Sequence, residues 1–371
     1  MSLDITNNNQ PENISKITVL HIIDELRRGG KERQFVELLK GLDRSAFSIH
    51  TICFLERQDG YDEQVKELSS KFSYFLRKYR WDLFLIIELI KYCRRESIDI
   101  IYVWDGMTAF YGYFASLFSR TKFVNGSIRD TDTRRTYRHL IKRWILNISG
   151  NIVANSQAGL DAYDIKNRGL VIYNGLDLNR FNQIRTRNDD KFVVGIVASL
   201  SEYKDFYTFF DAIKTIQEKI NNLEVHIIGA GKLAEEYKEY AVKIGVNQEI
   251  LKYIGRVSNT ENYIPNFDVG VLCSYKQRGE GLSNSVIEYM ACEVAVVITD
   301  IGAAREIVTN NENGFLFEAG NPIDLSEKIF NLYKDEELRK KIATSGKDSV
   351  KDKFSFTQFV KENEKYYKSL I

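Results

Sequence analysis

The chain has 371 residues, 44% of them hydrophobic and 28% charged, a composition typical of folded globular proteins. At about 150 residues per domain, this length predicts two or three domains. The formal net charge of +1 argues against a broad nucleic-acid-binding surface. The polar N-terminus does not resemble a signal peptide, and no apolar run approaches about 18 residues. We therefore expect a cytoplasmic protein, peripheral on the inner face of the membrane at most.

Short apolar runs alternate with amphipathic stretches along the chain. The alternation begins at ITVLHII (17–23) and continues to about LVIYN (170–174). Residues 177–191 are polar and have no apolar period, which is typical of a linker. The alternation then restarts at FVVGIVASL (192–200), and the chain ends in an amphipathic helix at 356–370. Strands that alternate with helices predict two doubly wound α/β domains, each with a parallel sheet covered on both faces.

Ligands of open α/β sheets bind outside the carboxyl ends of the strands, and one such position is GEGLSNSVIEYMA (279–291). A turn at Gly281 precedes a helix that Ser283 or Asn284 can cap. The free N–H groups and positive dipole end of that helix would suit a diphosphate. Glu288 lies one turn further on, where its carboxylate can accept two hydrogen bonds from a sugar diol. Taken alone, the segment could equally be a capped helix with an exposed glutamate.

Several motifs accompany this segment in a fixed order. Glu280 and Glu288 form an E-x7-E pair between VLCS and EYMA. The other motifs are GGKE (29–32), YNGLDLNRF (173–181), IIGAG (227–231) and DIGAAREIV with NGFLF (300–317). Together they resemble the retaining GT-B glycosyltransferases of family 4, and the resemblance covers nearly the whole chain.

That resemblance implies an α/β GT-B fold, in which two facing doubly wound Rossmann-like domains enclose an interdomain cleft. Residues 1–182 would form the N-terminal acceptor-side domain, joined by the C-terminal helix 355–371, and residues 183–354 the C-terminal nucleotide-sugar donor domain. The implied reaction moves a hexose or N-acetylhexosamine from a nucleotide diphosphate sugar, with UDP as the expected nucleotide, to a glycan or lipid-linked saccharide. Retention at the anomeric carbon and a role in surface polysaccharide biosynthesis are also implied. We expect no cofactor and no metal.

The resemblance also implies site residues, position by position. The catalytic groups would be Glu280 and Lys204, and Arg129 is a further candidate that could supply charge from across the cleft or equally be a plain surface arginine. The donor and its nucleotide would be held by Gly29, Gly30, Ser199, Gly229, Gly255, Arg256, Gly281, Leu282, Ser283, Asn284 and Glu288. The chain departs from the family at two of these positions. Ser199 stands where the family usually has an arginine beside the diphosphate, and Arg129 is the nearest ionisable residue where many members have a histidine.

Two regions of the first half allow two interpretations each. Trp104 and Asp105 follow the strand DIIYV, where an aromatic ring can stack on an acceptor sugar or simply cap the core. Residues 120–143 contain eight basic and two acidic side chains and lead into a helix. This segment is either the solvated face of a packed helix or a contact with anionic lipid. Its candidate membrane residues are Arg134, Arg135, Arg138, Lys142, Arg143 and Trp144.

Two other classes of protein remain open at this point. Ser199 leaves room for a non-catalytic glycosyltransferase-like binding protein. Gly229, Gly231 and Ala234 fit the pattern G-x-G-x-x-A, which makes a nicotinamide-dependent oxidoreductase a distant alternative. The pattern follows the second strand of the second half rather than the first, and the next strand ends without an acidic residue for a ribose.

Overall fold

The computed structural model describes residues 16–371, apart from 58, 80, 133–135, 166, 182–184 and 187–189, and apart from the side chain of Arg278. Its described residues form two parallel sheets. The strands of the first sheet are β1 (Ile17–Glu25), β2 (Phe47–Leu55), β3 (Lys71–Tyr74), β4 (Ile100–Val103), β5 (Lys122–Ile128), β6 (Asn151–Ala154) and β7 (Gly169–Val171). The strands of the second sheet are β8 (Phe192–Val197), β9 (Leu223–Ile228), β10 (Leu251–Gly255), β11 (Val269–Leu272), β12 (Ala295–Thr299) and β13 (Phe315–Phe317).

Helices cover both sheets. Those that accompany the first sheet are α1 (Gly30–Gly41), α2 (Asp62–Leu68), α3 (Phe84–Arg95), α4 (Gly106–Ser119), α5 (Tyr137–Ile148) and α6 (Gln157–Ala162). The second half contains α7 (Phe206–Ile216), α8 (Ala234–Lys243), α9 (Asn284–Ala291), α10 (Ala304–Ile307), α11 (Pro322–Lys334), α12 (Glu336–Lys353) and α13 (Phe356–Leu370). The predicted pair of doubly wound α/β domains is therefore confirmed.

The strand order of each sheet reverses once. The orders are β3-β2-β1-β4-β5-β6-β7 and β10-β9-β8-β11-β12-β13. The reversal falls between β1 and β4 in the first sheet and between β8 and β11 in the second. Crevices open at the carboxyl ends of the strands at such reversals, and ligands bind there. The loops after β1, β4, β8 and β11 are therefore the places to examine for a site.

The central strands are buried on both faces. Val19, Leu20, Ile22 and Ile23 of β1 have no exposed surface. Strands covered by helices on both sides read as continuous apolar runs rather than as an alternation, which is the pattern that the sequence shows here.

The last helix returns to the first domain. Phe359, Val360 and Tyr367 of α13 are buried in the same core cluster as Phe35 of α1. The close approach requires a glycine, because a Cβ on Gly41 would overlap the Val360 side chain. The expected domain boundary at 182–183 lies outside the described residues.

Candidate functional site

Two neighbouring cavities lie at the two strand-order reversals. One, the interdomain cleft, has a volume of about 1210 Å³ and lies between the Gly29–Gly30 loop and the segment that contains Lys204 and Glu280. The other, the N-terminal cavity, has a volume of about 900 Å³ and lies inside the first domain next to Asp24. Gly29, Gly30 and Arg129 line both. A molecule in one cavity can therefore contact a molecule in the other at this shared wall.

The amino ends of two helices face each other across the interdomain cleft. Ser283 is the N-cap residue of α9 and Gly29 that of α1, and neither helix has a side-chain capping bond. The Asn284 side chain donates to the Gly30 carbonyl oxygen at 3.3 Å, so the two ends are adjacent. Uncapped amino ends present free N–H groups and positive dipole ends. Their convergence favours an anion in the cleft.

Lys204 and Glu280 form an ion pair at the second domain's side of the cleft. The Lys204 ammonium contacts the Glu280 carboxylate, which also accepts a hydrogen bond of 2.6 Å from the Ser274 hydroxyl. Their side chains are 13% and 21% exposed, so the pair is only partly accessible to solvent. The structure thus brings two of the three expected catalytic residues together.

Glu288 is buried and has a partner from the other domain. Its side chain is 3% exposed, one carboxylate oxygen contacts the Arg33 guanidinium, and the other accepts 3.0 Å from the Thr260 hydroxyl. Each carboxylate oxygen can accept more than one hydrogen bond, so a ribose diol can still be accommodated. The alternative interpretation, an exposed glutamate on a capped helix, is wrong because Glu288 is buried. Arg33 follows directly after the GGKE motif but was missed by the sequence analysis.

Arg129 brings a cation to the wall shared by the two cavities. Its guanidinium lies 4.4 Å from the centroid of the Trp104 ring and donates 3.2 Å to the Gly126 carbonyl oxygen and 3.4 Å to the Asn174 side-chain oxygen. Burial lowers its pKa from the usual value, but an arginine remains charged at neutral pH. No carboxylate among the described residues pairs with it. A buried charge without a counterion favours the binding of an anion.

Ser199 and Arg256 lie on the surface of the same cleft. The Ser199 hydroxyl is exposed and lies 2.9 Å from the Ser201 hydroxyl. The Arg256 side chain is exposed and follows Gly255 at the end of β10. Both therefore remain open to a ligand in the cleft.

Gly229 and Gly255, which we expected at the nucleotide, do not line the cleft in the described residues. Gly229 has a φ of +146°, and a Cβ there would overlap the Ala198 carbonyl oxygen. Its N–H donates 2.8 Å to the Gly255 carbonyl oxygen. Gly229 therefore serves close backbone packing beside β8, whereas Gly255 provides a φ of +80° at the end of β10. The same packing explains the G-x-G pattern without a dinucleotide.

Leu282 and Asn284 differ in part from the expectation. Leu282 lines the cleft, but its side chain is buried in the core of the second domain. The Asn284 side chain accepts 2.8 Å from the Asn174 amide of the first domain. The Asn284 side chain therefore joins the two domains. Its backbone N–H is the group that remains for the nucleotide sugar.

Trp104 and Asp105 line the N-terminal cavity, and both also have structural roles. Trp104 is 1% exposed, and its indole N–H donates 3.1 Å to His21. Asp105 is the N-cap residue of α4 and accepts from the backbone N–H groups of Met107 and Thr108. Its other oxygen accepts 2.9 Å from the Asp24 backbone N–H. Contact with an acceptor stays a prediction for this pair, because Asp105 is 19% exposed and a carboxylate oxygen can accept further hydrogen bonds.

The basic helix is only partly a solvated face. Lys142 is 10% exposed and pairs with Asp130 at 3.0 Å, so it lies in the wall of the N-terminal cavity and not at a membrane surface. Arg143 pairs with Asp164 at 2.8 Å. Arg138 is exposed at the N-terminal cavity, and Trp144, six residues further along α5, is 48% exposed. Arg134 and Arg135 lie outside the described residues.

Three aspartates near the N-terminal cavity were missed by the sequence analysis. Asp24, at the carboxyl end of β1, pairs with Arg77 at 2.6 Å. Burial and the Asp105 carboxylate raise the pKa of Asp24 to about 6, although Arg77 opposes the shift. An Asp-x-Asp string, Asp130 to Asp132, follows β5, and its carboxylates are held by protein partners that include Lys142 and His139.

Comparison with protein families identifies the chain. Residues 179–349 match the family Glycosyl transferases group 1, and residues 28–180 match Glycosyltransferase Family 4. Together the two matches span nearly all of the two domains. The chain therefore belongs to the group 1, family 4 glycosyltransferases with the GT-B fold. This assignment excludes the nicotinamide-dependent oxidoreductase.

Individual proteins agree with this family. The chain is 34% identical to the uncharacterized glycosyltransferase MJ1178 of Methanocaldococcus jannaschii over 56% of this chain and 55% of that protein. It is 30% identical to the capsular polysaccharide biosynthesis glycosyltransferase CapM of Staphylococcus aureus over 49% of this chain and 47% of that protein. The chain thus spans about half the length of these curated relatives. A longer match, 24% identical over 89% of this chain and 93% of the relative, is to an N-acetylgalactosamine-N,N'-diacetylbacillosaminyl-diphospho-undecaprenol 4-alpha-N-acetylgalactosaminyltransferase of Campylobacter jejuni.

Solved structures share the fold. HepE of Anabaena, crystallised in complex with UDP and with UDP-glucose, superimposes with a TM-score of 0.82 at 19% identity. The superposition covers 95% of this chain and 100% of HepE. None of the helices in the described part of this chain is long and apolar enough to cross a bilayer.

Proposed function

We propose that this protein transfers a hexose or N-acetylhexosamine from a nucleotide diphosphate sugar, with UDP as the nucleotide, to a hydroxyl of a glycan or lipid-linked saccharide. The reaction proceeds with retention and serves surface polysaccharide biosynthesis. The observation that carries the proposal is the convergence of positive groups in the interdomain cleft. The amino ends of α1 and α9 meet there, with Lys204 beside them and Arg129 on the first domain's side.

The chemistry requires such a cluster. As the bond from the anomeric carbon to the diphosphate breaks, negative charge grows on the leaving oxygen. Fixed N–H groups and cations that face this charge stabilise the transition state more than the ground state. In this proposal Glu280, held by Lys204 and Ser274, binds the donor sugar, and Glu288 binds the ribose. Protein cations take the part that a metal ion takes in other transferases.

The names of relatives support the substrate class. HepE was crystallised with UDP-glucose, and the Campylobacter jejuni relative is named for an acceptor on a diphospho-undecaprenol carrier. We place the acceptor in the N-terminal cavity, because this cavity shares the wall of Gly29, Gly30 and Arg129 with the donor cleft. We also propose that α5 rests on an anionic membrane through Arg138 and Trp144, which would bring a lipid-linked acceptor to the cavity mouth.

Two measurements test the proposal. Nucleotide sugars are screened for thermal stabilisation, because a ligand that binds only the folded protein raises its stability by mass action. The best donor is then incubated with candidate acceptors, the released nucleoside diphosphate is quantified, and the anomeric configuration of the product is read by NMR. The Glu280→Gln variant is the matched control.

The screen also tests the runner-up. A non-catalytic binding protein would be stabilised by the ligand but would release no nucleoside diphosphate with any acceptor. The neutral Ser199 is the feature that favours this second candidate.

A further inference from the structure

Arg33 of the first domain reaches across the interdomain cleft to Glu288 of the second. It lies in the first turn of α1, just as Glu288 lies one turn inside α9. Gln34, next to it, donates 3.4 Å to the Asn284 side chain, and Asn284 in turn donates to Gly30. The first turns of α1 and α9 therefore lie side by side, with their amino ends in the same cleft.

The Arg33 guanidinium is only half used by the protein. One terminal nitrogen, Nη1, contacts the Glu288 carboxylate. The other, Nη2, is buried and has no hydrogen-bond partner among the described residues. Burial opposes its charge, but the Glu288 carboxylate outweighs this effect and raises the pKa of Arg33. A buried charged donor without an acceptor is costly, so the free nitrogen marks the position of a missing acceptor.

Two groups on the second domain's side of the cleft offer a diphosphate no net positive charge. Ser199 is neutral, and the Lys204 charge is balanced by Glu280. Arg33 faces the same cleft as both residues. A guanidinium has a planar fork of donors and can hold a carboxylate with one nitrogen and a phosphate oxygen with the other.

We propose that Arg33 binds a phosphate oxygen of the nucleotide through Nη2 while Nη1 keeps Glu288 oriented for the ribose. Arg33 belongs to the first domain and Glu288 to the second. The nucleotide is therefore held from both sides, and its phosphate adds to the contacts that keep the two domains together. This inference rests on the proposed function, because it assumes a nucleoside diphosphate in the cleft.

The test compares ligands with and without phosphate. Affinities of the wild type, Arg33→Gln and Arg33→Lys are measured by calorimetry for UDP, GDP, ADP and CDP and for the four corresponding nucleosides. Arg95→Gln is the control, because Arg95 pairs with Glu96 on the exposed end of α3, outside both cavities. Thermal unfolding of each variant verifies that it is folded, and Arg33→Lys keeps the charge if Arg33→Gln fails to fold.

For the best-bound base, we expect Arg33→Gln to weaken the diphosphate at least about tenfold more than the nucleoside, the size of one lost charge-assisted hydrogen bond. Arg33→Lys should weaken it less, and Arg95→Gln should not change it. An equal loss for diphosphate and nucleoside would mean that Arg33 only orients Glu288, and a gain for both would mean that it blocks the site. Either result overturns the inference. If the wild type binds none of the four diphosphates, the proposed function itself fails.

Discussion

Gly281 of the second domain rests against the main-chain carbonyl oxygen of Arg129 in the first, so closely that a Cβ on Gly281 would overlap that oxygen. The contact closes the cleft beside the Lys204–Glu280 pair. Because both the oxygen and the glycine belong to the backbone, neither can move aside as a side chain would. The closed arrangement of the domains depends on this missing side chain.

We therefore expect Gly281→Ala to hold the domains apart. Overlap of this kind costs about 1–3 kcal/mol, which shifts the equilibrium about 5- to 150-fold toward the open form. Transfer should fall sharply, and the radius of gyration from small-angle scattering should rise. Gly150→Ala is the control, because a Cβ at Gly150 has no neighbour within 4 Å. Unchanged scattering and activity in Gly281→Ala would show that the contact does not limit closure.

Glu288→Gln should weaken the binding of the nucleotide while the fold remains intact. The change keeps the shape of the side chain. It removes the negative charge of the carboxylate that would accept hydrogen bonds from the ribose hydroxyls and that pairs with Arg33. Loss of charged hydrogen bonds costs roughly 1.5–3 kcal/mol, which corresponds to about 10- to 150-fold in affinity. Calorimetry with the best nucleotide measures it, with Glu293→Gln, an exposed partner of Lys347, as the control. If Glu288→Gln binds the nucleotide as tightly as the wild type does, Glu288 does not bind the ribose.

Arg129→Ala should lower turnover by about 10²–10³-fold, the range for removal of one group that stabilises a transition-state charge. If Arg129 compensates for the arginine that is absent at Ser199, then Ser199→Arg in the Arg129→Ala background should restore part of the rate. Steady-state transfer rates of the single variants and of the double variant measure the loss and its recovery. Full activity of Arg129→Ala would reject this role.

The pH dependence of stability should report on Asp24. Its pKa of about 6 in the folded chain exceeds the ordinary value of 3.8, because burial and the Asp105 carboxylate disfavour its charge. The folded state therefore binds the proton more tightly, and this stabilisation is present below about pH 4 and lost as the pH rises through about 6. The melting temperature of Asp24→Asn minus that of the wild type should rise by a few degrees between pH 4 and 7. Parallel curves would contradict the shift.

Membrane contact through α5 should depend on lipid charge and on salt. Arg138→Ser should reduce sedimentation with anionic vesicles at low salt, because each basic residue near the surface contributes about 1 kcal/mol. Trp144→Ser should reduce it as well, since its exposed ring can enter the interface. High salt should weaken the wild type in the same way. Lys340→Ser, on the far domain, is the control, and vesicle binding that ignores lipid charge would reject the contact.

The fold could be predicted from the sequence because its two strongest determinants are local. Runs such as Val19–Ile23 are continuously apolar, and amphipathic stretches separate them, so the parallel sheets follow directly. The helix after Gly281 could be predicted for the same reason, since turn and helix signals lie within a few residues of each other, although the expected capping bond from Ser283 or Asn284 does not form.

Other parts of the site depend on distant pairs. Arg33 is separated from Glu288 by most of the chain, and no local pattern links them. The burial of Trp104 results from its packing beside His21 and beneath Arg129, so its position at a strand end could not distinguish a core residue from a sugar platform. The pairing of Lys142 with Asp130 likewise removes a charge that the helical periodicity placed on the surface.

The return of α13 to the first domain sets an order of events during synthesis. Tyr367 fills a cavity bordered by His21, Phe47 and Tyr102, all of which leave the ribosome early. Until α13 emerges, that part of the first core has no cover, although the second sheet already has all of its strands. The nascent first domain must therefore wait, with apolar side chains exposed, until α13 has been synthesised. A chain that lacked α13 would have a second domain with its whole sheet and a first domain with an incomplete core.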